Sequence, residues 1–132
     1  MPEDLVVQVT VTQHGNSLLI EVDNHVVHVR RHSREPVEVP IRWSLNPASS
    51  AGAQLTGITF PWPAPPLGEY TFTEWAGERP AQQPNGHWRV TCHNNHTHAA
   101  HVYHKYHVHA AVGSVIGELD PIVDNHPPPD TP

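Results

Sequence analysis

With 132 residues, the chain has the size of one domain and is long enough to bury one sizeable hydrophobic core. Seven basic and 13 acidic residues give a net charge of −6 with histidine neutral, and this balance argues against a nucleic-acid partner, because phosphate contacts need clustered Lys and Arg. A single cysteine excludes an internal disulfide, and no apolar run of about 18 residues is present to span a membrane.

Alternating apolar residues predict strands through the first half of the chain. Residues 5–12, 18–22 and 25–30 are separated by turn signals about ten residues apart, and this spacing predicts a three-stranded meander. Residues 36–45 alternate most clearly. Within them Pro40 has no N–H to donate, so we expect an edge strand, a bulge or a break at that position.

The second half continues the same pattern with shorter segments. Strands are predicted from Ile58 to Trp62, from Tyr70, over residues 87–93 with Cys92 facing inward, and over residues 101–112. Seven or eight short strands without an internal repeat predict an all-β, antiparallel sandwich. We expect one domain over residues 1–124 and a proline-rich, partly disordered tail over residues 125–132.

The most unusual chemical feature is a group of seven histidines between positions 93 and 109. In a strand over residues 101–112, His107 and His109 share the polar face, whereas His104 lies on the apolar face and is expected in the core. If this strand forms a hairpin with the preceding one, His93 faces the same side and His98 lies in the connecting loop. These four, His93, His98, His107 and His109, are the predicted ligands of a Zn²⁺, Cu²⁺ or Ni²⁺ ion.

Other interpretations of the histidines stay open. Their spacing matches no known zinc motif such as CxxC or HExxH, and histidines on a wet strand face are more often solvated than metal-bound. A surface that responds to pH is a third interpretation. A helix over this segment is less favoured, because Val, Tyr and Thr are poor helix formers.

Cys92 followed by His96 and His98 resembles the copper loop of cupredoxins. The only methionine is Met1, so the usual axial ligand is missing, and the alternating pattern turns Cys92 away from His93. A buried structural thiol is therefore predicted.

The segment 106–125, YHVHAAVGSVIGELDPIVDN, resembles the closing part of small uncharacterised bacterial β-sandwich domains. The Leu119-Asp120-Pro121-Ile122-Val123 run fits their pattern, and segments 42–45 and 58–60 resemble their strand-and-loop arrangement. The resemblance implies an immunoglobulin-like or cupredoxin-like sandwich and supplies no catalytic residues. The chain differs by having histidines where such strands usually hold Thr, Lys or Glu.

These observations favour a non-enzymatic binding or assembly module with a histidine-based divalent metal site. The alternative is a metal-independent structural or protein-interaction domain with solvent-exposed histidines. No nucleophile, phosphate-binding or dinucleotide motif is present, and a cupin-like metalloenzyme lacks the glutamate that should follow the His107-x-His109 step. Without a signal-peptide pattern at residues 1–4, we expect a cytoplasmic protein, with a protein partner or a second copy bound through an edge strand.

Overall fold

The structure is a computed structural model that describes residues 5–60, 70–73, 75–76, 79–97 and 99–129. Within these ranges the chain forms thirteen strands and no helix. The described residues therefore contain no helix that could cross a membrane. The strands are β1 (Leu5–His14), β2 (Ser17–Val22), β3 (Val26–Val29), β4 (Val37–Leu45), β5 (Ala53–Thr59), β6 (Tyr70–Thr73), β7 (Trp75–Ala76), β8 (Arg79–Gln82), β9 (Trp88–Asn94), β10 (Val102–Lys105), β11 (His107–Val112), β12 (Val115–Leu119) and β13 (Ile122–Asn125).

The strands form one large sheet and two small ones. The large sheet has the order β2-β1-β4-β9-β8-β7, with β6 also paired to β9, and the small sheets have the orders β10-β13-β3 and β12-β11-β5. The all-β prediction is confirmed, but the purely antiparallel arrangement is wrong, because β1 runs parallel to β4 and β3 runs parallel to β13. The number of strands also exceeds the predicted seven or eight, since several segments divide into short strands in different sheets.

The predicted meander is confirmed for its first two strands only. β1 and β2 form an antiparallel hairpin whose turn contains Gly15 with a φ of 60°, a conformation that glycine adopts without strain. β3 leaves this sheet and pairs with β13, which lies almost one hundred positions later. Alternation predicts which side chains share a face, but it carries no information about which strand is the neighbour.

Pro40 lies at a point where β4 has one described neighbour. β4 pairs with β9 from Val37 to Trp43, and its parallel pairing with β1 begins only at Ile41. Pro40 is therefore paired with Thr91 alone among the described residues. The proline occupies a position with the local character of an edge, although most of β4 lies inside the sheet.

The sheets enclose one hydrophobic core. The three-stranded sheet containing β11 lies over the large sheet, with β12 against β2 and β5 against β8. The contact is close, since a Cβ atom added to Gly117 would lie 3.1 Å from the Cβ of Leu18. The largest fully buried apolar side chains are Trp43, Tyr106, Ile41, Ile58, Val7, Val9, Val11, Val27, Val29, Val90 and Val108.

The segment predicted as one strand over residues 101–112 divides at Tyr106. β10 pairs with β13, and β11 pairs with β5 and β12, so the two halves belong to different sheets. The predicted alternation nevertheless holds across the break, with His104, Tyr106, Val108 and Ala110 buried. The core position predicted for His104 is confirmed.

Burial of His104 is expected to make the free energy of unfolding depend on pH. Desolvation first, and the neighbouring charge of His96 second, lower the pKa of His104 from 6.5 to about 4. Between these two pH values the unfolded chain binds a proton that the folded chain does not, so stability present above pH 6.5 is lost as the pH falls towards 4. The full loss from this group is about 3 kcal/mol.

Urea unfolding at a series of pH values between 7 and 4.5 tests this expectation, with His104→Gln as the comparison. Both proteins carry the other histidines, so the difference between their two curves isolates His104. The variant should have the shallower dependence on pH. Parallel curves would show that His104 does not carry the effect.

Candidate metal centre

One face of the small sheet β10-β13-β3 gathers polar side chains around its central strand. The strand pairing places Asp124 opposite His28 of β3 on one side and opposite Tyr103 of β10 on the other. Side chains two residues apart on an extended chain share a face, so His126 lies beside Asp124 and His101 lies beside Tyr103. The sheet therefore brings three histidines from separate parts of the chain to a single aspartate.

The carboxylate of Asp124 contacts all three imidazoles. Its Oδ1 lies 2.8 Å from Nδ1 of His101, and its Oδ2 lies 3.1 Å from Nδ1 of His28 and 3.3 Å from Nε2 of His126. The ring nitrogens of His28 and His126 are themselves 2.8 Å apart. One nitrogen or oxygen from each of His28, Asp124 and His126 fits within 4.8 Å, which makes this group a candidate metal-binding cluster.

Burial differs sharply among the four side chains. Asp124 is 4% exposed and His126 is 17% exposed, whereas His28 and His101 are 39% and 40% exposed. A buried carboxylate is costly unless charges or hydrogen-bond donors compensate it, and here the three imidazoles surround it. Asp124 and His126 thus form the buried floor of the centre, and His28 and His101 form its solvent-exposed side.

The surroundings of His126 favour its neutral form. Burial is the largest influence and lowers the pKa of His126, Asp124 raises it, and His101, Arg30 and His28 lower it further. A neutral imidazole has a free lone pair, and this is the form that binds metal ions. The net effect is a histidine prepared to act as a ligand near neutral pH.

Hydrogen bonds to the backbone hold His126 in position. Its N–H donates to the carbonyl of Val29 at 3.0 Å, which extends the parallel ladder by one residue beyond β13. The side-chain amide of Asn94 donates to the carbonyl of His126 at 2.9 Å. The residue falls within the predicted tail, yet its backbone is tied to two neighbouring elements.

Cys92 supports the centre from the core side. The thiol is buried and donates to Oδ1 of Asn125 at 3.1 Å, and Asn125 lies between Asp124 and His126. Burial raises the pKa of Cys92 to about 12, although the Asn125 contact acts in the opposite direction. The predicted buried thiol is confirmed, and at neutral pH it stays protonated and unreactive.

His107 and His109 lie side by side on β11, as the alternation predicted, with ring centroids 6.0 Å apart. Nδ1 of His107 is 2.5 Å from Oδ1 of Asp120, and Nδ1 of His109 is 3.5 Å from Oε2 of Glu118 on the neighbouring strand. His107, Glu118 and Asp120 form a second candidate cation-binding group, but both carboxylates are more than half exposed. The geometry is equally that of two histidine–carboxylate contacts within the hairpin.

Of the other two predicted ligands, His93 is described by the structure and lies away from this hairpin. His93 lies on β9 in the large sheet, with its Nδ1 3.1 Å from Oε1 of Glu38, and it belongs to neither described cluster. His98 lies outside the described residues. The condition on which His93 would face His107 and His109, a hairpin between their two strands, is not met among the described residues, because β9 pairs with β4, β6 and β8.

Sequence reasoning missed the cluster at Asp124 and left His101 out of the predicted ligands. One signal was available: Asp124 and His126 are two positions apart next to a predicted apolar pair, so a strand there would place both on one face. The parallel partner that supplies His28 has no local signature. Neither a scan against models of protein families nor a search of curated proteins finds a match to this chain.

Proposed function

We propose that the chain is a non-enzymatic β-sheet module that binds one divalent transition-metal ion through His28, His101, Asp124 and His126. The observation that carries the proposal is the buried Asp124 carboxylate in contact with three imidazoles. Three nitrogens and one oxygen form a donor set that suits Zn²⁺, Cu²⁺ and Ni²⁺ better than Mg²⁺ or Ca²⁺.

The close approach of two ring nitrogens fits a shared metal ion as well as a hydrogen bond. Nδ1 of His28 and Nε2 of His126 face each other at 2.8 Å and both lie near Oδ2 of Asp124. A hydrogen bond between the two rings uses one proton and leaves the second nitrogen as acceptor only. An ion beside this group satisfies both lone pairs and the carboxylate at once.

The buried contacts around the centre fit the same proposal. Metal ligands are normally oriented by a further layer of hydrogen bonds, and such contacts influence affinity by about 10- to 100-fold. Asn94 holds the backbone of His126, and Cys92 holds the side chain of Asn125 between the two ligands of β13. These groups reduce the conformational freedom that an ion would otherwise have to restrict.

Metal content of untagged protein, followed by Zn²⁺, Cu²⁺ and Ni²⁺ titration against a competing chelator, tests the proposal. We expect one ion per chain. The double variant His28→Ala with His101→Ala should weaken binding by at least about 100-fold, because it removes half of the donor set.

The matched control is His107→Ala with His109→Ala, which removes two histidines from the β11–β12 hairpin. This control should retain the affinity of the unmodified chain. Absence of stoichiometric uptake would contradict the proposal, and loss of tight binding in the control alone would move the site to the β11–β12 hairpin.

The second candidate function is a metal-independent interaction domain. It is favoured by the cross-strand acids of the hairpin, which already pair with His107 and His109. For both candidate functions, we propose that the fold is an immunoglobulin-like or cupredoxin-like sandwich. The packing of β12 against β2 and of β5 against β8 supports two facing layers.

A further inference from the structure

We infer that the metal at this centre takes an aromatic carboxylate as an additional ligand, at an open position between His28 and His101. The inference depends on the proposed metal-binding function and specifies what that function would recognise. It rests on the uneven exposure of the four ligands, on the local balance of charge and on an exposed aromatic ring beside the opening.

The exposure of the ligands defines where a fifth group can approach. Asp124 and His126 form the buried floor, whereas His28 and His101 each leave about two fifths of the side chain open to solvent. Sites that only hold a metal for structure are usually enclosed, and sites that admit another ligand keep one side open. The entrance is therefore on the side of His28 and His101.

The charge of the loaded centre favours an anion. A divalent ion with one carboxylate and three neutral imidazoles has a net charge of +1, in surroundings where Asp124 is almost fully buried. Arg30 adds a second positive charge. It follows His28 by two residues, one position past the end of β3, and continuing the parallel register of β3 and β13 places it next to His126.

Tyr103 supplies a flat apolar surface at the entrance. It is one of three large hydrophobic side chains that are strongly exposed in the described structure, at 62%. Its ring is stacked near that of His101, with an angle of 14° between the planes and 6.0 Å between the centroids. A planar ligand can pack on this surface while its carboxylate reaches the metal and Arg30.

Protein loaded with Co²⁺ provides the test, because the visible absorption of the ion reports changes in its coordination. Benzoate and acetate are the probes. We expect both to change the spectrum in a saturable manner, with benzoate binding about tenfold more tightly, since only benzoate can stack on Tyr103. Tyr103→Ala should remove this preference.

Arg30→Gln should weaken the binding of both carboxylates by about tenfold while Co²⁺ affinity stays within about threefold. Arg42→Gln is the charge-matched control, since Arg42 lies in the large sheet opposite Arg89. Stoichiometric Co²⁺ binding with no spectral response to either carboxylate would overturn the inference and leave the metal function standing. Failure to bind Co²⁺, Zn²⁺, Cu²⁺ and Ni²⁺ would overturn both.

Discussion

Replacing Asp124 with asparagine is expected to weaken Zn²⁺ binding by at least about 100-fold. Asp124 contacts His28, His101 and His126 together, and its carboxylate supplies the only negative charge of the proposed donor set. Asparagine has nearly the same shape but is neutral, so the change removes charge with little change in packing. Competition titration against a chelator measures the effect.

Asp120→Asn is the matched control, because it makes the same chemical change beside His107 in the hairpin cluster. Its Zn²⁺ affinity should equal that of the unmodified chain within about threefold. Thermal unfolding of the metal-free proteins establishes that both variants are folded. Tight Zn²⁺ binding by folded Asp124→Asn protein would remove the basis of the proposed centre.

Trp43→Ala is expected to lower the free energy of unfolding by about 3–5 kcal/mol. Trp43 is completely buried in β4, its ring packs edge-on against Tyr106 at 5.2 Å, and its Nε1 donates to the Tyr106 hydroxyl at 3.1 Å. Because β4 belongs to the large sheet and Tyr106 joins β10 to β11, this contact connects all three sheets. Alanine would leave a cavity where they meet.

Urea unfolding of Tyr106→Phe and Leu19→Ala separates the contribution of the Trp43 hydrogen bond from that of its buried ring. Tyr106→Phe removes only the hydrogen-bond acceptor of Trp43 and should cost about 1–3 kcal/mol, because Nε1 is then buried without its partner. Leu19 is about half exposed, so Leu19→Ala should cost less than about 1 kcal/mol. A loss for Trp43→Ala as small as that of Leu19→Ala would contradict its central place in the core.

Alternation along the chain predicted β4 and several buried faces, but β5 begins at Ala53, five residues before the strand predicted from Ile58. The strand predicted over residues 36–45 matches β4, and the inward positions of Trp88, Val90, Cys92 and His104 are confirmed. These features depend on the local two-residue period, which a sequence displays directly. The division at Tyr106 was not visible, because the same alternation continues through it.

The candidate centre was much harder to predict than the core. The sequence drew attention to histidines that are close along the chain, whereas His28, His101 and Asp124 meet only because β13 lies between β3 and β10. Strand order is decided by the packing of whole sheets and not by local pattern. His107 and His109 were correctly placed side by side, since two neighbouring positions on one strand need no information about its partners.

The parallel pairing of β3 with β13 has a consequence for the order of events during synthesis. His28 and Asp124 are separated by 96 positions, and β13 must be in place before the two can meet. Ribosomes add residues from the amino terminus, so the hairpin of β1 and β2 can form while His126 has not yet been made. The proposed centre would therefore acquire its ion only after the chain has been made through His126, and an apo form must precede every loaded molecule.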